Sequence, residues 1–344
     1  MSQKIDTLLK KLGKYGVKRG SDLPIVKRIT TGVDTLDIIT GGGFPAGRTT
    51  ELYGEESVGK SLIAIKAIAA NQKLGLQCIY IDTENALDRE WAEKQGVDLS
   101  SLIIYDNIPK GEDALDFLKE VINSDIAHLI VLDSIEGIVP EKELLSSAQD
   151  AQMAVKARLM NSAVRQWTTL IGKSMLTPKP AIVAINQLRD SLSMYSPKTT
   201  PGGLGMKFFA SLRIEIKGGK ATRNKANETI SREIKAIAQK NKLSTPYRQG
   251  YWTLYSAEDQ EFPQGYCDCT SFVITEAQNL GLVEQKGAWF YYDGETYQGK
   301  SSLVDHLYDN PEIYRNFLNK IIGVTNEPTE AEVKTAGEES SEES

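Results

Sequence analysis

Residues 50–61 read TELYGEESVGKS, and this stretch decides the fold. A short strand-like run ends at Gly54, and from there to Ser61 the residues follow the spacing G-x-x-x-x-G-K-S before a helical pattern begins. Glycine lets backbone N–H groups close around a phosphate, and the first turn of a helix favours an anion. The spacing therefore predicts that a nucleoside triphosphate contacts Gly54, Glu55, Glu56, Ser57, Val58, Gly59, Lys60 and Ser61.

Two side chains at the end of this loop carry specific chemistry. The ammonium group of Lys60 places a positive charge at the β- and γ-phosphates, and the hydroxyl of Ser61 is a ligand for Mg²⁺. A chance match to the spacing in a chain of 344 residues is on the order of one in a hundred. The flanking strand and helix lower that chance further, because they supply the context that the motif needs.

The chain around this loop alternates buried strands with helices. The strand-like runs are CIYID (78–82), LIIYD (102–106), HLIVLD (128–133) and AIVAINQ (181–187), and helical stretches begin near Ser61, Arg89, Glu112 and Gln149. Continuous apolar strands that alternate with helices predict an α/β fold with a mostly parallel central sheet, covered on both faces. Three further runs without helices between them predict an antiparallel extension at one edge: LRIEIK (212–217), SREIKAIAQKN (231–241) and GYWTLYS (250–256).

Three polar residues stand where these strands end. Asp133 closes HLIVLD, where a carboxylate faces the ligand crevice and supports the magnesium ion. Glu84 follows CIYID, so it either orients and deprotonates the attacking water or caps the next helix. Gln187 ends AIVAINQ and is either a sensor of the γ-phosphate or a turn residue. Together with the phosphate loop, these positions predict one catalytic edge of the sheet.

Two long polar segments leave the sheet from this same end. Residues 188–205 contain two prolines and three glycines, and residues 140–158 follow the strand that ends at Asp133. Loops of this length without regular structure are usually functional. Nucleotide binding could therefore order both segments.

Charge is unevenly distributed along the chain. The net charge is −6, and residues 326–344 alone hold seven glutamates and one lysine, so the other 325 residues sum to zero. Within that neutral body, residues 1–30 carry eight basic and two acidic side chains, and residues 198–248 carry twelve and three. These segments are either solvated faces or a polyanion-binding surface for which the acidic tail competes.

Composition sets the remaining limits. Three cysteines are too few for a disulfide framework, and we expect them to be reduced and free of metal. The apolar run 62–70 is interrupted by Lys66, so we expect no membrane span, and the charged start lacks a signal-peptide core. These features predict a cytoplasmic protein. Ile5, Leu8, Leu9 and Leu12 predict an amphipathic helix in the first thirty residues, and the Glu-rich end predicts disorder.

Many ordered segments resemble the RecA-type recombinases, over about residues 28–324. The resemblance is carried by the phosphate loop and its flanks and by YIDTENALDREWAEKQGVD (80–98), IVLDSIEGIVPEKE (130–143), TTPGGLGMKFFASLRIEI (199–216), QKNKLSTPYRQG (239–250) and GAWFYYDGETYQG (287–299). It implies a RecA-like P-loop ATPase core over residues 31–262 with a mostly parallel central sheet. It also implies an N-terminal oligomerisation arm (1–30), a small α+β C-terminal domain (263–324) and a disordered acidic tail (325–344).

The resemblance implies a function as well. Its members use ATP and Mg²⁺ to form helical filaments on single-stranded DNA, pair it with homologous duplex DNA and exchange strands, in recombination, repair and the SOS response to DNA damage. ATP hydrolysis would depend on DNA, and the two DNA-binding loops would span about 142–153 and 188–203. The partners implied are DNA and further copies of the same chain, with no membrane.

Carried over by position, the family's functional residues fall on matching residues of this chain. Lys60 and Ser61 would bind phosphate and magnesium, Glu84 would be the general base, Asp133 would support the metal, and Gln187 would sense the γ-phosphate. Asp88, Trp91 and Tyr255 would contact adenine, and Lys240 and Lys242 would enter the ATP site of the neighbouring protomer. The DNA contacts would be Met153, Arg158, Arg165, Leu192, Gly202 and Gly203, and Phe208 would lie at the subunit interface.

Some positions depart from the family pattern. Asn85 replaces the usual histidine after the general base, Trp91 replaces a tyrosine, and the second loop is roughly two residues short. These departures indicate a diverged member, such as a phage or plasmid copy. Two alternatives stay open: a filament protein that binds ATP and single-stranded DNA but hydrolyses little, and another ATPase of the same fold. The presence of Glu84 favours the enzyme over the first, and GAWFYYDGETYQG with Gly202-Gly203 argues against the second.

Overall fold

The computed structural model describes residues 2–145, 153–189, 199–258 and 262–323. The strands in these ranges are β1 Arg28–Ile29, β2 Phe44–Pro45, β3 Thr49–Gly54, β4 Cys78–Asp82, β5 Ile103–Tyr105, β6 Leu129–Asp133, β7 Ala181–Gln187, β8 Leu212–Arg223, β9 Thr229–Asn241, β10 Gln249–Tyr255, β11 Cys267–Asp268, β12 Glu284–Lys286, β13 Trp289–Tyr292 and β14 Glu295–Gln298. The α-helices are α1 Ser2–Leu12, α2 Asp34–Thr40, α3 Lys60–Gln72, α4 Arg89–Lys94, α5 Gly111–Asn123, α6 Glu141–Leu144, α7 Met153–Lys173, α8 Gly205–Phe209, α9 Thr270–Asn279, α10 Gly299–Asp309 and α11 Pro311–Ile322.

A nine-stranded sheet forms the centre, in the order β11-β10-β9-β8-β3-β7-β6-β4-β5. The strands from β3 to β5 are parallel, which confirms the predicted central sheet. The predicted antiparallel extension is present, because β9 pairs antiparallel with both β8 and β10. Its inner strand β8 also pairs in parallel with β3, and β11 adds an antiparallel strand at the edge that the sequence did not predict. The chain direction reverses after β8, and β9 pairs with β8 in an antiparallel arrangement that contains bulges.

Both faces of the sheet are buried, as the continuous apolar strands require. On one face, side chains of α2, α3 and α9 pack against β3, β6 and β7 in a large apolar core. On the other face, α5 and α7 cover β4, β6 and β7. Trp167 of α7 is fully buried there, and its indole N–H donates to the hydroxyl of Thr49 over 3.1 Å. The start of β3 is thereby fixed, and its end carries the phosphate loop.

The C-terminal unit consists of helices and a small sheet. The predicted hairpin is present as β13 and β14, and β12 adds a third strand that the sequence did not predict. Two helices follow, α10 and α11, where the sequence predicted one. Strand β11 pairs with β10 of the central sheet, and the hydroxyl of Tyr314 donates to the carboxylate of Asp34. The unit therefore packs directly on the core.

The N-terminal segment confirms the predicted amphipathic helix, which is α1. Apolar side chains of this segment are nevertheless open to solvent: Leu8 is 53% exposed, and Ile25, in the extended part, is 93% exposed. Within its own first thirty residues the arm therefore leaves an apolar surface uncovered. None of the described helices has the length and apolar character needed to cross a bilayer.

Candidate functional site

The phosphate loop joins β3 to α3. Strand β3 ends at Gly54 and α3 begins at Lys60, with Gly59 as its N-cap in the left-handed conformation (φ 90°). A Cβ atom on Gly54 would lie 2.2 Å from the carbonyl oxygen of Ile216, so only glycine fits where β8 passes. The loop therefore turns tightly and directs the free N–H groups of the first helical turn toward the space that a phosphate would occupy.

Lys60 lies inside this loop. Its side chain is buried, and its ammonium group donates to the carbonyl oxygen of Gly54 over 3.2 Å and to that of Glu55. Burial lowers the pKa of Lys60, and the nearby carboxylates of Asp133 and Glu84 oppose that shift. The cation is thus held among negative groups at the carboxyl end of the sheet.

Asp133 ends β6 beside the start of α3. Its side chain is buried and accepts hydrogen bonds from Tyr80, whose hydroxyl is 2.6 Å away, and from the hydroxyl of Ser61. Burial raises the pKa of Asp133, although both hydrogen bonds favour the ionised form. A divalent cation would favour ionisation further, and carboxylate and hydroxyl oxygens are ligands that Mg²⁺ prefers. The donor set therefore fits magnesium.

Glu84 follows β4 and is held by its surroundings. The carboxylate of Asp82 accepts the backbone N–H groups of Glu84, Ala86 and Leu87 at distances of 2.9 to 3.1 Å, which fixes the turn. The hydroxyl of Ser134 donates to the Glu84 carboxylate. Glu84 does not cap the next helix, because that position belongs to Asp88. An exposed carboxylate is therefore presented beside Asp133 and Lys60.

Gln187 lies level with the phosphate loop. It is the last residue of β7, and its Cα pairs in register with that of Gly54, so it is not a turn residue. The N–H of Leu188 donates to the carbonyl oxygen of Gly54 over 3.0 Å, which joins the start of the second loop to the phosphate loop. Gln187 and Lys60 therefore occupy the same edge of the sheet.

The three residues implied as adenine contacts lie at two positions. Asp88 is the N-cap of α4 and accepts the backbone N–H of Trp91 over 2.6 Å, and the Trp91 ring is half-buried. Tyr255 ends β10 with its ring 4.6 Å from that of Phe262. The neighbouring Leu254 approaches Gly59, because a Cβ there would lie 3.2 Å from the leucine side chain. The end of β10 therefore borders the phosphate loop.

The implied DNA contacts are partly described. Arg158 and Arg165 are exposed on α7, each donating to the backbone carbonyl four residues before it. Gly202 and Gly203 both have positive φ (85° and 77°), and Cβ atoms there would lie 3.0 Å from Ile135 and Ala157 respectively. The side chain of Met153 and the whole of Leu192 lie outside the described residues. Between the two loops, Arg189 pairs with Glu136 at 2.5 Å.

The remaining implied residues lie at the opposite end of the sheet. Lys240 pairs in register with Arg213 near the start of β8, and Lys242 follows β9. The ammonium group of Lys240 donates to the carbonyl oxygens of Lys207 (2.7 Å) and Phe208 (2.9 Å). Burial, more than the nearby Lys242, lowers the pKa of Lys240. Phe208 is 67% exposed on α8. Because these three residues lie near the amino end of the sheet, they are separated from Lys60, Glu84 and Gln187 at its carboxyl end.

Sequence reasoning missed two residues of the site, Tyr80 and Ser134. Each contacts a predicted residue through its hydroxyl, Tyr80 with Asp133 and Ser134 with Glu84. Ser134 directly follows Asp133, which was a usable signal. The role of Tyr80 depends on the pairing of β4 with β6, which neither strand reveals alone.

The fold and this edge of the sheet define a P-loop ATPase with a mostly parallel sheet. The RecA N-terminal domain model matches residues 1–259, and the RecA C-terminal domain model matches residues 271–325. The chain belongs to the RecA family, and it is an ATP-dependent recombinase by that membership.

Two similar RecA proteins agree with the family assignment. The chain is 36% identical over 333 residues to Protein RecA of Thermotoga maritima, covering 92% of this chain and 89% of that protein. It is 37% identical over 320 residues to Protein RecA of Mycoplasma mobile, covering 91% and 92%. A crystal structure of the RadB recombinase aligns with a TM-score of 0.49 at 19% identity, covering 66% of this chain and 96% of that one.

Proposed function

We propose that the protein binds ATP with Mg²⁺, assembles into a helical filament on single-stranded DNA and pairs that strand with homologous duplex DNA. ATP hydrolysis then depends on DNA. The observation that carries the proposal is the cluster of Lys60, Ser61, Asp133 and Glu84 at the carboxyl edge of one sheet, from which both long loops leave. The basic segments 1–30 and 198–248 supply charge for a polyanion.

The phosphate loop from Gly54 to Ser61 would hold the triphosphate. Its N–H groups and the Lys60 ammonium would contact phosphate oxygens, and Ser61 with Asp133 would hold the magnesium ion. When bound, Mg²⁺ neutralises charge on the phosphates. Tyr80 would keep the Asp133 carboxylate oriented, because its hydroxyl occupies one carboxylate oxygen. Asp88, Trp91 and Tyr255 would border the adenine.

Glu84 would act as the general base. The Asp82 turn and the hydroxyl of Ser134 limit the orientations of its carboxylate, which leaves it poised to accept a proton from water. Gln187 would donate to the γ-phosphate from the same edge and would pass that contact to the second loop, since Leu188 is already bonded to Gly54.

DNA would contact the two loops and α7. Arg158 and Arg165 present cations about two turns apart on one helix, and Gly202 with Gly203 lets the second loop run close against the same helix. Met153 and Leu192 would complete this surface. Phosphate contacts of this kind give binding that falls steeply with salt concentration.

Assembly would complete the catalytic site. Lys240 and Lys242 lie at the amino end of the sheet, so they would serve the ATP of a neighbouring protomer rather than their own. Phe208 would lie at that same interface, and the uncovered arm with Leu8 and Ile25 would pack on another copy. A head-to-tail interface that does not close into a ring generates a helical filament.

The experiment is a pairing assay with a matched pair of lysine variants. Single-stranded DNA coated with the protein and MgATP is mixed with homologous or unrelated duplex, and strand transfer is followed by fluorescence. Lys60→Ala should abolish transfer, whereas Lys73→Ala, at an exposed lysine just beyond the other end of α3, should leave it unchanged. Equal transfer to unrelated duplex, or normal transfer by Lys60→Ala, would contradict the proposal.

A further inference from the structure

A line of polar side chains crosses the centre of the sheet on one face. On β4, β6 and β7 this face is apolar and packs under α5 and α7. At the carboxyl end of β7 this face becomes polar with Asn186, and the polar side chains continue across the adjacent strands with Glu51 of β3, Arg213 of β8 and Lys240 of β9. Both ends of the line touch proposed functional groups. Asn186 directly precedes Gln187, the proposed γ-phosphate sensor, and Lys240 is one of the two lysines proposed to act across the subunit interface.

Direct side-chain contacts join Asn186, Glu51 and Arg213, and Lys240 is linked to them through the pairing of β9 with β8. Asn186 is fully buried, and its amide donates to the Glu51 carboxylate over 2.8 Å and to the carbonyl oxygen of Pro201 over 3.1 Å. The other carboxylate oxygen of Glu51 accepts from the Arg213 guanidinium at 2.5 Å. The carbonyl group of the Asn186 side chain accepts the N–H of Gln187 over 3.0 Å. Glu51 therefore connects the end of the second loop to β8.

Such a pair has no evident purpose in stability. Glu51 is 0% exposed and Arg213 13% exposed, so both charges are largely removed from water. Apolar residues of similar volume often stabilise a fold as well as a buried ion pair does, and the adjoining strands use them at equivalent positions. A carboxylate that faces an amide on one side and a guanidinium on the other instead fixes the relative position of two strand ends.

We propose that Glu51 is a positioning residue that couples DNA binding at the second loop to ATP turnover across the subunit interface. The inference rests on the proposed function. DNA bound at the end of the second loop would fix Pro201 and, through its hydrogen bond, Asn186. Asn186 would then hold Glu51, and Glu51 would hold Arg213 of β8. Strand β9 with Lys240 would follow through its pairing with β8. Both the γ-phosphate sensor and the trans-acting lysines would respond to one rigid connection.

The test removes the ion pair without leaving a buried charge. Glu51→Gln with Arg213→Gln neutralises both partners, and the new amide at position 51 can still accept from Asn186. Asn186→Ala interrupts the connection at its other end without changing any charge. The control is Arg248→Gln with Glu276→Gln, which removes a half-buried ion pair of 3.1 Å distant from both loops. Thermal unfolding, ATP affinity, single-stranded DNA affinity and turnover with and without DNA are measured for each.

The double glutamine variant should keep its affinities for ATP and DNA but lose about tenfold of the DNA-stimulated turnover, within the range of coupling that residues between two sites carry. Asn186→Ala should give the same loss, and combining the changes should add little, because they interrupt one connection. The control should retain full stimulation. If the double glutamine variant does not fold, Asn186→Ala decides alone.

Full stimulation in a folded Asn186→Ala or double glutamine variant overturns the inference. So does a loss of ATP affinity as large as the loss of turnover, since that result marks a merely structural role. Wild-type protein without any DNA stimulation would contradict the proposed function itself. A stimulated wild type with equally stimulated variants would contradict this inference alone.

Discussion

Replacing Lys240 and Lys242 by alanine tests whether the catalytic site is completed by a second protomer. Glu51, Arg213 and Lys240 are level across β3, β8 and β9, and Gly54 is three residues further along β3. At roughly 3.3 Å per residue and about 4.8 Å per strand, the Cα atoms of Lys240 and Gly54 are about 14 Å apart. This separation exceeds the reach of a lysine side chain. The ammonium group of Lys240 also donates hydrogen bonds to the carbonyl oxygens of Lys207 and Phe208.

Lys240 therefore does not reach the nucleotide edge of its own protomer, and under the proposed function both lysines would act on the ATP of a neighbour. Cations delivered to transition-state charge in this way contribute about 10³ to 10⁵ in turnover, or about 4 to 7 kcal/mol. DNA-dependent ATP hydrolysis, measured with a coupled spectrophotometric assay, should fall by that factor in Lys240→Ala/Lys242→Ala. ATP binding by the unassembled protein should not change, because the nucleotide edge is untouched.

Filaments that contain both variants give the most direct test of the trans-acting role. Glu84→Ala protein supplies intact lysines, and the double lysine variant supplies intact Glu84. In an equal random mixture along a head-to-tail filament, about one quarter of the sites combine both, so about one quarter of wild-type turnover should return. Mixed filaments that form on DNA but recover no turnover would refute the trans-acting role. Normal turnover by the double lysine variant alone would refute it as well.

Three further changes each have a defined expected outcome. Glu84→Gln should keep ATP affinity and filament formation but lose about 10² to 10⁴ of turnover, and an equal loss of nucleotide binding would make Glu84 structural. Removing residues 326–344 should strengthen binding to duplex DNA at fixed low salt and lower its magnesium requirement, because a tethered polyanion competes at high effective concentration; unchanged affinity would contradict that role. Burial raises the pKa of Asp37 to about 6, so its contribution to the free energy of unfolding is present below pH about 4 and is lost as pH rises through 6, a change of at most about 3 kcal/mol. Asp37→Asn should flatten this part of the pH dependence of unfolding. An unchanged pH profile in the variant would contradict the role of Asp37.

The nucleotide edge could be predicted from the sequence because its signals are local. The spacing from Gly54 to Ser61 and the positions of Asp133 and Glu84 just at strand ends depend only on neighbouring residues and on the rule that parallel strands share a carboxyl edge. The structure brings Lys60, Ser61, Asp133 and Glu84 into one cluster, as those positions suggest.

The remaining features depend on strand order and register, which no single segment contains. Strand β8 pairs in parallel with β3, which lies far earlier in the sequence. The sequence does not indicate this pairing, because β8 is followed directly by two strands in an antiparallel arrangement. Glu51 is a polar residue in a short strand, and only the placement of Asn186 and Arg213 on adjacent strands makes it part of a buried connection. The contact of Tyr80 with Asp133 likewise needs the register between β4 and β6.

Under the proposed function the nucleotide edge hydrolyses ATP in response to DNA, and one measurement tests this directly. Turnover of MgATP is recorded at saturating nucleotide with and without single-stranded DNA, for the wild-type chain and for Glu84→Gln in parallel. We expect turnover to rise strongly with DNA in the wild type and to be absent in Glu84→Gln, while both proteins coat the DNA. Equal turnover with and without DNA, or DNA-coated wild-type filaments that do not hydrolyse ATP, would contradict the account and favour a protein that binds ATP without using it.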